Sequence, residues 1–291
     1  MYDIIIIGAG PAGLTAAIYA LRANKRVLVL EAKSYGGQII NAHKIDNYPG
    51  MMHVSGFEYA TAIYNQAKEL GAEIKFEVVT SITKEKQVTT NKSTYQARAI
   101  IIATGAENKK LNLPNEKELI GKGVSYCATC DGNFFKDKIV AINGSEFHAL
   151  SDALYLSLIA KKVYLISNTD DFSKDERLFN ELKEKNVDFK LNKSIKKING
   201  NEYLESITLN DDEELNVDGL FIAVGQSPKN DIFSNCVDIS KDGYIISKDG
   251  VHTSTQGIYV AGDAREKELR QLTTAVADGS IAAVMAIKEM K

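Results

Sequence analysis

Tyr2-Asp3-Ile4-Ile5-Ile6-Ile7-Gly8-Ala9-Gly10-Pro11-Ala12-Gly13 opens the chain and sets its architecture. Four consecutive β-branched isoleucines predict a strand buried on both faces. Gly8, Gly10 and Gly13 follow in the spacing G-x-G-x-x-G and lead into an Ala-rich helix, Leu14 to Arg22. At these three positions glycine permits a tight turn, lets the backbone approach a pyrophosphate, and lets helix pack closely on strand. The context completes the motif. Arg26 to Leu30 reads as a second apolar strand, and Glu31 closes it 18 residues past Gly13, where a carboxylate can bind an adenosine ribose.

The rest of the composition narrows the class. A chain of 291 residues with 44% hydrophobic content has material for two moderate cores. Its formal net charge of −3 argues against nucleic acid or an anionic membrane as a partner. The apolar run Ile4 to Ile7 is too short for a signal sequence or a membrane span. Three cysteines exclude a disulfide-stapled secreted scaffold, so a cytoplasmic protein is expected.

Outward from the first unit, Gly56 to Leu70 has helical spacing and ends at Gly71. Short alternating segments run to Ala99, and Ile100 to Ile102 forms a strand entering Ala103-Thr104-Gly105. A polar connection from Asn108 to Lys117, with Pro114 inside it, marks a crossing into a second domain. There a second βαβ unit is expected: strand Lys138 to Ile142, turn Asn143 to Ala149, helix Leu150 to Ala160 and strand Val163 to Ile166. In this turn Gly144 takes the first glycine position and Ala149 the last, but Glu146 stands where the second glycine belongs. A glutamate adds bulk and negative charge where a pyrophosphate would lie, so the site is expected to reject phosphate.

Lys174 to Lys185 reads as a charged, solvated helix, and Leu204 to Asp218 as a hairpin with an acidic tip. Leu220 to Gly225 is a further buried strand. Gly257 to Asp263 repeats the strand-to-glycine pattern with an acid, and Arg270-Gln271-Leu272 leads into a last Ala-rich helix, Thr273 to Lys288.

Between the two βαβ units lies Ser125-Tyr126-Cys127-Ala128-Thr129-Cys130-Asp131-Gly132. Two thiols at this spacing can close a disulfide, and the first thiol of such a motif often has a lowered pKa. Asp131 places an acid beside them. A structural zinc is disfavoured because no second cysteine pair exists and His148 stands alone. Cys236 is expected to be a small buried hydrophobe, and His43, His53 and His252 to be structural.

With these residues assembled, the chain resembles the low-molecular-weight thioredoxin reductases over essentially its whole length. The matching motifs are the first glycine turn, Gly36-Gly37-Gln38, Asn47-Tyr48-Pro49-Gly50, Ala103-Thr104-Gly105, the Cys127 to Gly132 run, Gly225-Gln226-Ser227-Pro228, Gly262-Asp263 and Arg270-Gln271. The resemblance implies an α/β homodimer in which each chain has two Rossmann-like, three-layer ββα nucleotide-binding-type domains. A discontinuous FAD domain would span 1–113 and 242–291, and an inserted domain 114–241 would carry the cysteines. FAD contacts are implied at Gly8, Gly10, Pro11, Ala12, Gly13, Glu31, Gly37, Gln38, Asn47 and Val79 in the first part. In the remainder they fall at Thr104, Gly105, Gly262, Asp263, Arg270, Gln271 and Leu272. Cys130 would receive electrons from the flavin, Cys127 would attack the disulfide of thioredoxin, and Asp131 would move the proton.

One departure matters. Where the family binds NADPH it carries a His-Arg-Arg-x-x-x-Arg stretch, and this chain reads Ser167-Asn168-Thr169-Asp170-Asp171-Phe172-Ser173. Hydrogen bonds to a charged partner are worth roughly 1.5 to 3 kcal/mol each, so losing three arginines weakens a 2′-phosphate by several. This pattern is similar to the ferredoxin-dependent flavin thioredoxin reductases, for which NADPH is not expected. A ferredoxin near about −400 mV lies about 6 kcal/mol uphill of a thioredoxin near about −270 mV for two electrons. An NADPH-dependent thioredoxin reductase with a drifted nucleotide site, and an oxygen-dependent dithiol oxidase, are the alternatives.

Overall fold

The computed structural model describes residues 1–42 and 44–290, so the expectation for His43 lies outside the described residues. The chain forms two compact units, one of Met1–Glu107 with Ser227–Lys291 and one of Asn108–Gln226.

In the first unit the isoleucine run becomes the strand Tyr2–Ile7 at the centre of a seven-stranded sheet. Val27–Glu31 and Thr94–Ile102 flank it in parallel, Glu73–Phe76 extends one side, and Ile258–Val260 pairs with Thr94–Ile102. An antiparallel pair, Val79–Ile82 and Gln87–Thr90, continues from the start of Thr94–Ile102. Alternate isoleucines point to opposite faces, as strand geometry requires. Ile4 and Ile6 pack with the helices Pro11–Arg22, Gly56–Glu69 and Leu272–Glu289, while Ile5 and Ile7 pack with Ile82, Val88, Phe233, Cys236 and Val237. The result is helix, parallel sheet and second β layer. Gly279 lets the last helix press on the first, since a Cβ there would stand 2.1 Å from Ala12 O.

The second unit repeats the plan. Val187–Lys190, Lys162–Ile166, Ile139–Asn143, Gly219–Ile222 and Val124–Ser125 form a parallel sheet in that order. A three-stranded antiparallel sheet, Ile195–Asn199, Ser206–Leu209 and Glu214–Asn216, packs its apolar residues with Leu220 and Ile222. Helix Phe147–Ser157 lies among Val140, Ile142, Val163 and Leu165. The two ends of the unit are tied to each other: Gln226 Nε2 donates to Asn108 Oδ1 at 2.9 Å, and Lys109 N to Gly225 O at 3.0 Å. The first unit is tied across its own break, where Lys229 Nζ stands 2.9 Å from Glu107 Oε2.

Three expectations are corrected. The crossings fall at Glu107/Asn108 and Gln226/Ser227 rather than at 113/114 and 241/242. Leu111 and Leu113 pack on the second unit's core, and Phe233, Cys236 and Val237 are buried in the first unit's. The helix expected from Leu150 begins at Phe147, directly after Glu146, so the turn is one helical turn shorter than expected. The charged helix is not merely solvated. It is a 3₁₀ turn, Ser173–Asp175, followed by Glu176–Lys183, whose Leu182 is fully buried and whose Phe179 stacks on Phe172 at 4.3 Å.

Candidate active site

Parallel strands in register end together, and this gathers the expected cofactor residues of the first unit. Ile7 is level with Leu30 and with Ile102, and Ile102 with Val260. The four segments beyond those ends are the glycine turn, Glu31, Thr104-Gly105 and Gly262-Asp263. A crevice outside the carboxyl ends of a doubly wound sheet is where such folds bind nucleotides.

The glycines there divide into two kinds. Gly8 has φ +111° and a Cβ on it would stand 2.3 Å from Ala103 O; a Cβ on Gly13 would stand 1.9 Å from Gly8 O. Those two are required by packing. Gly10, at the N-cap of helix Pro11–Arg22, would place its Cβ no nearer than 3.9 Å to anything, and that neighbour is Gly37 Cα. Space is therefore kept between two expected cofactor glycines at a helix N-terminus, where backbone N–H groups and the dipole favour a phosphate. Glu31 holds the rim of the turn, accepting from Ala9 N and Lys33 N at 2.8 Å each. Val79 is buried with its side chain in the core under the sheet. Thr104 Oγ1 donates to Asn230 Oδ1 at 3.0 Å, and Asn230, fully buried, donates in turn to Gly243 O and Ala264 O.

The far side of the crevice is built on a buried ionic cluster that the sequence reading missed. Asp278, 5% exposed on the last helix, accepts from Gly262 N, Arg265 Nε and Nη2, and Lys267 Nζ at 2.9 to 3.1 Å. Lys267 Nζ also stands 3.1 Å from Asp263 Oδ1 and donates to Thr274 Oγ1 at 3.3 Å. Thr274 Oγ1 accepts from Gln271 N at 3.1 Å, and Gln271 Oε1 accepts from Asn47 Nδ2 at 3.1 Å. Arg270 lies over the ring of Tyr244 at 4.0 Å. One lysine thus links Asp263 to the N-terminus of helix Leu272–Glu289. Two buried polar atoms here, Asp263 Oδ1 and Arg270 Nε, lack a well-directed hydrogen bond. Buried polar atoms in native proteins normally find partners. The open glycine cradle and these two atoms fit FAD, whose pyrophosphate, ribityl hydroxyls and ring polar atoms are of the right kind for them.

In the second unit Cys127 and Cys130 are joined as a disulfide with Cα atoms 5.3 Å apart. Cys127 is half-buried at the N-cap of the short helix Ala128–Asp131, and Cys130 is exposed. Ser125, buried at the end of the edge strand Val124–Ser125, donates to Asp131 Oδ2 at 2.6 Å and accepts from Cys127 N at 3.0 Å. Tyr126 donates to Glu116, a buried carboxylate that also accepts from Leu111 N and Leu113 N. Burial first, then that carboxylate, pushes the Tyr126 hydroxyl well above its usual range. Tyr155, on helix Phe147–Ser157, backs the turn at Gly132, where a Cβ would meet its ring at 3.0 Å. On the same helix, burial pushes the Asp152 carboxyl up to about 6.

The nucleotide-type turn of this unit is built differently from that of the first. Gly144 and Ala149 keep the close packing: a Cβ on Gly144 would stand 2.6 Å from Ala149 Cβ. Glu146 is exposed at the N-cap of helix Phe147–Ser157, so a carboxylate occupies the end that favours anions. Beyond the next strand the loop is tied to itself and to this turn. Ser145 Oγ donates to Asn168 Oδ1 at 2.9 Å, Thr169 N to Ser167 Oγ at 3.2 Å, and Asp171 N to Thr169 Oγ1 at 3.0 Å. The cleft between, about 360 Å³, is lined by Gly144, Ser145, Glu146, Asn168 and Lys193 among others. Lys193 is paired with Asp211.

The remaining expected residues are structural. Cys236 is 3% exposed, donates to Ile82 O at 3.3 Å, and burial raises its thiol pKa. His53 bonds Asp46, and His252 bonds Asp249 and Glu289. Among the described residues no helix is long and apolar enough to cross a membrane.

Comparison with known proteins agrees with this arrangement. A model of the pyridine nucleotide-disulphide oxidoreductases matches residues 2–279. The chain is 41% identical to thioredoxin reductase of Bacillus subtilis (strain 168), over 97% of this chain and 93% of that relative. The crystal structure of thioredoxin reductase from Streptococcus pyogenes MGAS5005 matches with a TM-score of 0.93 at 37% identity, covering 99% of this chain and 97% of that one. A ferredoxin-flavin thioredoxin reductase from Clostridium acetobutylicum matches with a TM-score of 0.53 at 32% identity, covering 99% and 97%. A family match over nearly the whole chain, a cradle suited to FAD and a disulfide at Cys127–Cys130 lead to one assignment: the chain belongs to the low-molecular-weight thioredoxin reductases, which are FAD flavoproteins.

Proposed function

We propose that this protein is a homodimeric ferredoxin:thioredoxin reductase of the flavin type, passing electrons from reduced ferredoxin to the disulfide of thioredoxin through FAD and Cys127/Cys130. The observation that carries the proposal is the second nucleotide-type turn. Its phosphate end presents Glu146, its loop has Asn168, Thr169 and Ser173 at the family's arginine positions, and its lining cation, Lys193, is paired with Asp211. A nicotinamide dinucleotide phosphate brings several negative charges, and nothing in this cleft compensates them.

Bound FAD supplies a carrier that accepts electrons singly and delivers them in pairs. Around it, the chain's own residues have separable roles. Gly10 and Gly37 would hold backbone against the pyrophosphate, with Pro11, Ala12 and Gln38 beside them and Glu31 toward the ribose. Asp263, braced by Lys267, would meet the ribityl chain, and Arg270, Gln271 and Leu272 the ring, with Asn47 and Thr104-Gly105 completing the cradle. Cys130 receives the electron pair, Cys127 as a thiolate attacks the thioredoxin disulfide, and Asp131 exchanges the proton.

The competing reading is an NADPH-dependent thioredoxin reductase. In its favour, the second unit keeps a complete parallel nucleotide-type sheet and the tight Gly144 turn. An anaerobic experiment separates the two. Reduced ferredoxin should bleach the oxidised flavin band and generate thioredoxin dithiol, while NADPH at the same concentration should do neither. Flavin bleaching by NADPH faster than by reduced ferredoxin would refute the proposal, and oxygen uptake with a small dithiol would point to an oxidase.

A further inference from the structure

We propose that Ser125 is the positioning residue for proton transfer at the dithiol, its hydroxyl keeping Asp131 hydrogen-bonded whether Asp131 is a carboxylate or a carboxylic acid. The geometry gives one oxygen three neighbours. Ser125 Oγ accepts from Cys127 N at 3.0 Å, donates to Asp131 Oδ2 at 2.6 Å, and has a second acceptor in reach, Cys127 O at 3.4 Å. A serine hydroxyl has one proton and two lone pairs, and rotates freely about its C–O bond. With Asp131 ionised, the hydroxyl proton points to the carboxylate and a lone pair takes the Cys127 amide. With Asp131 protonated, the carboxylic O–H donates to the second lone pair and the hydroxyl proton turns to Cys127 O. No polar atom loses its partner in the exchange, and the residue is 5% exposed, where an orphaned one would be costly.

The chemistry needs such an exchange. Two electrons break the Cys127–Cys130 bond and leave two thiolates. One takes a proton from Asp131, and the aspartate left behind regains its proton from solvent when the pair is oxidised again. A carboxyl that changes state in every cycle must be held in both, and the strand end carrying Ser125 does so from a fixed backbone paired to Leu220 and Phe221. The other titratable groups on the elements packed against this turn are His148, Asp152 and Tyr155 on helix Phe147–Ser157, and the Tyr126–Glu116 pair.

The test reads Asp131 directly and does not depend on which donor feeds the flavin. In holoprotein with ¹³C-carboxyl-labelled aspartate, the Asp131 resonance is identified by its absence in Asp131→Asn. Ser125→Ala loses the bond in both states, and because a hydrogen bond to the charged carboxylate is the stronger of the two, the Asp131 titration should move up by about one pH unit. Ser125→Thr, which keeps a hydroxyl, should titrate as the native protein does. The limb of the pH profile for thioredoxin reduction by dithionite-reduced protein that disappears in Asp131→Asn should move by the same amount. That second readout rests on the thioredoxin reading, whereas the resonance does not, so failure of the two is distinguishable. An Asp131 titration unchanged in Ser125→Ala overturns the proposal, as does a limb that follows Asp152→Asn instead. If Ser125→Ala does not fold, Ser125→Thr decides: a shift of a full unit with the hydroxyl retained overturns it.

Discussion

Replacing Lys267 by methionine keeps the unbranched apolar stem and removes the ammonium. In the native protein the ammonium stands 3.1 Å from both Asp263 Oδ1 and Asp278 Oδ2, with 6% of the side chain exposed. At that separation each pair carries about 5 kcal/mol of attraction at an effective dielectric of about 20, most of it offset by desolvation of the ions. Removing one partner reverses the balance, because Asp278 stays buried while Asp263 is partly exposed, and such changes at buried pairs cost about 3 to 5 kcal/mol. Arg265 still bonds Asp278 through two nitrogens, so the lower end applies, about 3 kcal/mol. For a unit of this size that lowers the melting temperature by roughly 6 to 12 °C. Asp263 also loses its brace, so the variant should retain less FAD on gel filtration. Scanning calorimetry with and without added FAD, together with flavin absorbance per chain, measures both effects. A melting temperature within about 2 °C of native and a full complement of FAD would refute the role given to this cluster.

Two further outcomes follow from the same coordinates. Gly13→Ala places a methyl 1.9 Å from Gly8 O, so it should cost about 3 kcal/mol and abolish FAD binding, read as loss of the yellow band in the purified protein. His252 is desolvated, which works against its charge, but bonds to Asp249 and Glu289 outweigh this and raise its pKa. A raised folded pKa means stability that is complete below the ordinary histidine value and disappears as pH rises through the folded one. The margin of native protein over His252→Gln, about 0.5 to 1 kcal/mol for a partly exposed pair, should therefore be largest near pH 6 and small by pH 9 in thermal melts.

The features legible in the sequence are those whose physics is local. A short run of β-branched residues ending at glycine favours a buried strand, glycines at fixed offsets specify a turn, and two cysteines separated by two residues specify a loop that can close. What could not be read depends on distant partners. Asp278 sits in an Ala-rich helix, and Lys267 among exposed charges, and only the fold brings them to Asp263. Asn230 looks like loop sequence but is fully buried beneath Thr104. The segment holding Phe233, Cys236 and Val237 has too few apolar residues to announce a core segment, so the sequence points to a boundary at 241/242 where the fold has it at Gln226/Ser227. Ser125 lies within the cysteine motif, but a serine two residues before a cysteine has many possible partners and its sequence position assigns it none. A polar residue fixed by neighbours on both sides of a short motif is the one signal that would have found it.

The bonds that tie each unit across its own break, Gln226 to Asn108 in one and Lys229 to Glu107 in the other, bear on how such a chain can arise and be rebuilt. An insert whose two ends already lie together asks its host to span almost no gap, so the loop-closure entropy of interrupting the host is small. Each half can then be exchanged as a cassette. A graft cut at Glu107/Asn108 and Gln226/Ser227 should carry its closing bonds with it, whereas one cut at 113/114 and 241/242 would strand Phe233 and Val237 in the wrong core.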